Sequence, residues 1–163
     1  MSIPAETTVR EVMTSDPVTL TPDTPLREAI ELLAKRRFSG IPVIDASKGL
    51  VGIISETELM WQESGVNPPP YITVLDSIIF LENPATYEKE LHKALGQQVK
   101  DVMTDAMTTV APDMALRDAA RRMHRKEVSR LIVVEPSDGG STVVGIITRG
   151  DVIRYMASHQ DDA

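Results

Sequence analysis

The sequence contains no cysteine. That excludes disulfides, thiolate metal sites, iron–sulfur clusters and a cysteine nucleophile. Aromatic residues make up only 4% of the 163 residues, too few for the stacking platforms that hold single-stranded nucleic acid. Histidine is scarce as well. His92, His124 and His159 are the only ones, and none has a second metal ligand four residues on or belongs to a His-Glu-x-x-His motif. No Gly-x-Ser-x-Gly elbow and no Gly-x-x-x-x-Gly-Lys-Ser/Thr loop is present, so neither a serine hydrolase nor a P-loop phosphohydrolase is indicated. Positive charge is in the minority, with 17 Lys and Arg against 24 Asp and Glu and a net charge of −7. Such a balance argues against a general polyanion binder, nucleic acid included. No apolar run approaches the roughly 20 residues of a membrane span. The opening residues Met1 to Glu6 lack the basic and apolar regions of a signal peptide. The expectation is a soluble cytoplasmic protein that touches neither membrane nor nucleic acid, is not an enzyme, and has no catalytic cofactor and no metal. With 42% apolar and 25% charged residues, the chain has the composition of an ordinary globular domain.

What the sequence does have is a repeat. Val9-Arg10-Glu11-Val12-Met13-Thr14 returns as Val99-Lys100-Asp101-Val102-Met103-Thr104. Pro22-Asp23 returns as Pro112-Asp113, Leu26-Arg27 as Leu116-Arg117, and Ser39 as Ser129, all at an offset of 90. Val51-Gly52-Ile53-Ile54-Ser55 then returns as Val144-Gly145-Ile146-Ile147-Thr148 at an offset of 93. The turn-rich stretch Pro136-Ser137-Asp138-Gly139-Gly140 absorbs the change, where extra residues cost little. Two copies are too few for an open solenoid, and they suggest half-domains closing on each other about a pseudo-two-fold axis.

Each copy carries the same signals. A short helical turn, Val9 to Met13, precedes a strand at Val18-Thr19-Leu20. Thr24-Pro25 reads as a cap followed by proline at the first helical position. Leu26, Ala29, Ile30 and Leu33 then share one helix face, as Leu116, Ala119, Ala120 and Met123 do in the second copy. Ile41-Pro42-Val43-Ile44 and Leu50-Val51-Gly52-Ile53-Ile54 read as neighbouring strands. A last helix is expected near Glu56 and near Gly150. The order strand, helix, strand, strand, helix makes an α/β (α+β) layer fold. Residues 1–62 are the first motif, 63–98 an insertion, 99–157 the second motif and 158–163 a tail. In the insertion, Pro68-Pro69-Pro70 reads as an extended spacer. Val74, Leu75, Ile78 and Ile79 follow at helical spacing. Asn83-Pro84 then opens a second helix, with Tyr87, Leu91, Ala94 and Leu95 as its stripe and Gly96 as its end. These helices either pack on the repeats or form a partner-docking surface.

The chemistry concentrates at Gly145-Ile146-Ile147-Thr148-Arg149-Gly150-Asp151, where a strand ends and a helix begins. Thr148 is placed to cap that helix. Asp151 lies one turn on, where a carboxylate can accept two hydrogen bonds from a vicinal diol such as ribose. Thr148, Arg149 and the helix N-terminus could meet a phosphate. Equally, Thr148 is only a cap and Asp151 only complements the helix dipole. The run Arg121, Arg122, Arg125 and Lys126 is either a solvated helix face or a source of charge for phosphates.

The order of these fragments, occurring twice, resembles a tandem pair of CBS domains, the family named after cystathionine β-synthase. The resembling residues are Val12–Thr14 and Val102–Thr104, Ser39–Asp45 and Ser129–Glu135, and Gly52–Ser55 and Gly145–Asp151. The resemblance implies a regulatory module with two clefts for an adenosine-containing ligand: AMP, ADP or ATP first, S-adenosylmethionine or cyclic di-AMP as alternatives. It implies a homodimer acting on an unidentified regulated protein. The second reading is a scaffold whose clefts bind no nucleotide. Carried over position by position, one cleft pairs Thr148, Arg149 and Asp151 with Thr14, Val18, Ser39, Gly40, Ile41 and Pro42. Val18, Ile41 and Pro42 would form the adenine slot. The secondary cleft pairs Ser55 and Glu58 with Thr104, Thr108, Ser129, Arg130 and Leu131. Glu58 stands there in place of the usual Asp, and Glu56 in place of Arg149, so this cleft is expected to be weak or empty.

Overall fold

The computed structural model describes residues 3–36, 38–60, 71–74, 77–80 and 97–159. The first copy runs α1 (Val9–Val12), β1 (Thr14–Ser15), α2 (Leu26–Arg36), β2 (Ile41–Asp45), β3 (Gly49–Ile54) and α3 (Glu56–Met60). Strands β4 (Tyr71–Val74) and β5 (Ser77–Phe80) follow. The second copy has a 3-10 turn at Val99–Asp101, then β6 (Thr109–Val110), α4 (Leu116–Lys126), β7 (Arg130–Ser137), β8 (Gly140–Thr148) and α5 (Arg149–Ser158). The layer fold expected from the repeat is present, with helices packed on antiparallel strand pairs.

Helices α2 and α4 form where apolar residues recur at helical spacing, and they bury the expected faces: Leu26, Ala29 and Leu33, and Leu116, Ala119 and Met123. Glu127 closes α4 in the left-handed region at φ 53°. Gly139, at φ 89°, makes the turn between β7 and β8, a conformation that glycine adopts without steric cost. Burial of three consecutive residues in each of β2, β3, β7 and β8 marks these strands as core.

The copies exchange their leading segments. Val9 N–H donates to Met114 O, Arg10 N–H to Pro112 O and Leu116 N–H to Thr7 O. The equivalent bonds run the other way: Val99 N–H to Thr24 O, Lys100 N–H to Pro22 O and Leu26 N–H to Gln97 O. β1 pairs with β8 (Thr14 opposite Ile146), and Thr104 pairs with Ile53 of β3. Val9 and Ile3 therefore sit in the second copy's core with Leu116, Met123, Leu131 and Ile147. Val99 and Val102 sit in the first copy's core with Leu26, Leu33, Ile41 and Ile54. The four-stranded sheet runs in the order β1-β8-β7-β6, with β6 and β7 parallel, and β2 and β3 form a separate pair.

Three local expectations are corrected. The strand expected at Val18–Leu20 is reduced to a single bridge between Leu20 and Val43. The strand of that region lies earlier, at Thr14–Ser15, because it pairs with the other copy. Thr24 does not cap α2; its hydroxyl accepts from Thr21 N–H at 3.1 Å and shapes the turn ahead of the helix. The helix expected around Val74, Leu75, Ile78 and Ile79 is instead an antiparallel pair, with Tyr71 opposite Phe80 and Val74 opposite Ser77. The runs Tyr-Ile-Thr-Val and Ser-Ile-Ile-Phe are rich in β-branched and aromatic residues, which favour a pleated strand. The spacer at Pro68–Pro70 and the helix expected after Asn83 lie outside the described residues.

Candidate functional site

The crossing of the copies brings the start of α5 beside the loop between α2 and β2. Thr148 ends β8 and Asp151 sits in the first turn of α5, in a reciprocal capping box. Asp151 N–H donates to Thr148 Oγ1 at 3.2 Å, while Asp151 Oδ2 accepts from Thr148 N–H at 2.8 Å and from its hydroxyl at 2.9 Å. Thr148 therefore caps α5, and the second carboxylate oxygen of Asp151 is outside this capping box. That oxygen, Oδ1, is met by Arg154 Nη2. Asp151 is only 12% exposed in its side chain, whereas Arg154 is 74% exposed. An incoming hydroxyl can thus compete for the carboxylate by displacing a solvated partner.

These groups line a cavity of about 390 Å³, within the size range of small-molecule sites. Its walls come from both copies: Thr14, Val18, Ser39 and Gly40 on one side, Thr148 and Asp151 on the other. All six were expected together. Asp16, Pro17, Arg36, Phe38, Ile146 and Arg154 complete the lining. Val18, Pro17, Phe38 and Ile146 make an apolar wall, and Arg36 and Arg154 supply positive charge. Asp16 has φ 47°, in the left-handed region that Asp tolerates better than most residues.

Three expected residues do not line this cavity. Ile41 and Pro42 are buried in β2, with Ile41 in the first copy's core. Arg149 Nε donates to Val128 O at 3.1 Å, and the residue lines a different depression with Ala120, His124, Val152 and Ile153. Phe38 and Arg154 line the cavity in their stead, one apolar and one cationic. A sequence signal existed for Arg154, which follows Asp151 by three residues and so shares its helix face.

The second cleft is smaller, about 190 Å³, and is lined by Glu58, Thr104, Thr108, Ser129 and Arg130 among others. Ser55 and Leu131 do not reach it. Ser55 is 1% exposed and Leu131 fully buried, although Ser55 N–H donates to Glu58 Oε2 at 2.7 Å in the same capping pattern. Arg130 Nε is buried without a hydrogen-bond partner among the described residues. Burial lowers the Arg130 pKa from its ordinary value, and the opposing charges of Glu58 and Glu56 work against that shift. The guanidinium stays charged at neutral pH.

Among the described residues no three His, Asp or Glu side chains gather to hold a metal ion, and no helix is long and apolar enough to cross a membrane. His124 is exposed on α4, and His159 stacks on Tyr155 with ring centroids 4.1 Å apart. His92 lies outside the described residues.

Comparison with known proteins gives a consistent result. The family model for the CBS domain matches residues 9–63 and again 99–158. An uncharacterised protein of Methanocaldococcus jannaschii, MJ1426, is 31% identical over 155 residues, covering 91% of this chain and 90% of its own. The CBS domain-containing protein CBSX1, chloroplastic, of Arabidopsis thaliana is 39% identical over 90% of this chain, which spans 63% of that protein. A crystal structure of CBSX2 in complex with AMP superposes with a TM-score of 0.66 at 32% identity, covering 94% of this chain and 98% of that one.

Proposed function

Because the chain belongs to the CBS domain family, we propose that it is a regulatory module that binds an adenosine-containing ligand, AMP, ADP or ATP, in the larger cleft. The observation that carries this reading is the 390 Å³ cavity where Thr148 and Asp151 of one copy face Thr14, Val18, Ser39 and Gly40 of the other. The purine lies against Val18 and Phe38. Asp151 Oδ1 accepts from the ribose hydroxyls, replacing Arg154. Arg154, once freed, and Arg36 neutralise phosphate. The complex of the related CBSX2 with AMP supports the ligand class.

The 190 Å³ cleft is the minor site on this reading, since it is about half the volume of the other and Glu58 is a longer acid than Asp151. The module has no catalytic step of its own. It acts on a regulated protein, and the ligand shifts that interaction by as much as its affinity differs between the two states.

The test is isothermal titration with AMP, ADP, ATP, S-adenosylmethionine and cyclic di-AMP, with Asp151→Ala alongside. Loss of charge-assisted hydrogen bonds of about 1.5–3 kcal/mol lowers affinity by roughly 10- to 150-fold. Micromolar binding weakened in the variant supports the reading. No binding across the panel sinks it and leaves the scaffold alternative.

A further inference from the structure

The smaller cleft brings charges of both signs together. Arg130, Glu58 and Glu127 all line it, and the charge of Glu56 also acts on Arg130. Arg130 is half-buried. Its Nε has no hydrogen-bond partner among the described residues, and the guanidinium enters none of their ion pairs. A cation withdrawn from water and left without acceptors destabilises the site, because its lost hydration is not replaced. Glu58 does not relieve it. Glu58 Oε2 accepts from Ser55 N–H at 2.7 Å and from the Ser55 hydroxyl, which leaves Oε1 outside that capping box.

Size and charge together select the ligand. At about 190 Å³ the cleft is smaller than the roughly 300–1,000 Å³ that drug-sized molecules occupy. Arg130 favours an anion. A phosphate would bring up to two negative charges into a space that already holds Glu58 and Glu127, and their repulsion opposes it. A carboxylate brings one, and it can meet a guanidinium through two parallel N–H···O bonds. An ammonium group on the same molecule would answer the two glutamates. Ile53, Met107, Val128 and Ile132 make much of the remaining lining apolar, which suits a short hydrocarbon side chain. The larger cleft has no such pattern. Gly40 stands there at the position of Arg130, and Arg149 is the repeat equivalent of Glu56.

We infer that the smaller cleft takes a small dipolar ligand, an α-amino acid with an apolar side chain, its carboxylate on Arg130 and its ammonium group on Glu58 and Glu127. The two clefts then carry different signals, and the smaller one reads its own ligand whether or not a nucleotide fills the larger.

The test is isothermal titration of the full chain with L-leucine, L-valine and L-methionine. Three probes run beside them: isocaproate, which is leucine without its ammonium group, isoamylamine, which is leucine without its carboxylate, and inorganic phosphate. At least one amino acid binds, and each of the three probes binds about tenfold more weakly or less. Arg130→Met keeps an apolar stem against Gly40 and weakens the amino acid about tenfold or more. Glu58→Gln weakens it about threefold or more. Glutamine still completes the capping box with Ser55, so this variant carries the test if Arg130→Met does not fold, which circular dichroism checks. Silence from all three amino acids, isocaproate or phosphate binding as tightly as the amino acid, or an affinity unchanged in Glu58→Gln would each overturn the inference. No nucleotide enters the titration, so its failure leaves the reading of the larger cleft untouched.

Discussion

The side chain of Arg130 packs over the α-carbon of Gly40, so that a methyl group at Gly40 would lie 3.2 Å from the arginine Nη1 and 3.3 Å from its Cδ. Gly40 lines the larger cleft and Arg130 the smaller one. The two clefts therefore share a wall made by equivalent positions of the two copies, one without a side chain and one with a long side chain. The same methyl would also lie 3.0 Å from Ile53 Cδ1.

Gly40→Ala therefore forces Arg130 and Ile53 to move. The expected cost is about 1–2 kcal/mol of stability, the usual scale of mild overpacking. Arg130→Ala removes one of the two obstacles, so the double variant should be more stable than the sum of the singles predicts, by about 0.5 kcal/mol or more. Urea unfolding of the four proteins measures this coupling. Strict additivity would mean that the two residues do not meet.

A harsher clash is expected where the copies cross. A methyl at Gly52 would lie 2.9 Å from Thr104 O and 2.8 Å from Met103 Sδ. A methyl at Gly145 would meet Met13 Sδ and lie 2.9 Å from Thr14 O. The carbonyls belong to the backbone that carries the crossing pairs, and they cannot yield as a side-chain tip does. Gly52→Ala and Gly145→Ala should each cost about 2–3 kcal/mol, the upper part of the range for overpacked sites. Thermal unfolding checks it, with Gly140→Ala as the control, since a methyl there meets nothing within 4 Å.

Those two glycines show what the sequence made legible and what it did not. The recurrence of Val-Met-Thr and Gly-Ile-Ile is visible, and with it the element order; six residues of the larger cleft follow only from the resemblance to the CBS domain family. That each Met-Thr lies against the other copy's glycine was not visible, because a repeat does not say which copy a segment packs on. Ile41 and Pro42 were misplaced for a related reason. Ile41, Pro42 and Val43 are all buried, so no alternation marks the face toward the cleft. Arg149 follows from the resemblance to the CBS domain family, whereas Arg154 is marked only by helix geometry. Two residues from Asp151 is about 200° around a helix, whereas three residues returns to the same face. The β4–β5 segment fits a helix on spacing alone because short apolar runs fit both periods.

Acid should destabilise the fold in part through two local caps. Glu11 is held below its ordinary 4.5 by hydrogen bonds from the Thr8 N–H and hydroxyl, and Asp45 below 3.8 by the Ser47 hydroxyl and the N–H groups of Ser47 and Lys48. Each group binds its proton less readily folded than unfolded. The stability they contribute is complete above the ordinary values and is lost as pH falls through the lower folded ones. The melting temperature should fall between about pH 5 and pH 3, and less steeply in Glu11→Gln with Asp45→Asn. An unchanged slope would show that these caps add nothing to acid sensitivity.

Arg154 should separate nucleotides from nucleosides. Its guanidinium meets Asp151 Oδ1, yet the side chain is 74% exposed, so the pair itself contributes little, on the order of 0–1 kcal/mol. A ribose diol that takes over Asp151 Oδ1 displaces Arg154, and a phosphate on the same ligand gives the displaced cation a new partner. Adenosine brings the diol without the phosphate, so it removes one ion pair and supplies none. Arg154→Ala should lower AMP affinity about 3- to 10-fold, leave adenosine affinity equal or higher, and flatten the salt dependence of AMP binding, because an exposed charge contact is screened as ionic strength rises. Titration of both ligands at two salt concentrations checks this. Equal losses for AMP and adenosine would mean that Arg154 holds Asp151 in place and does not read the phosphate.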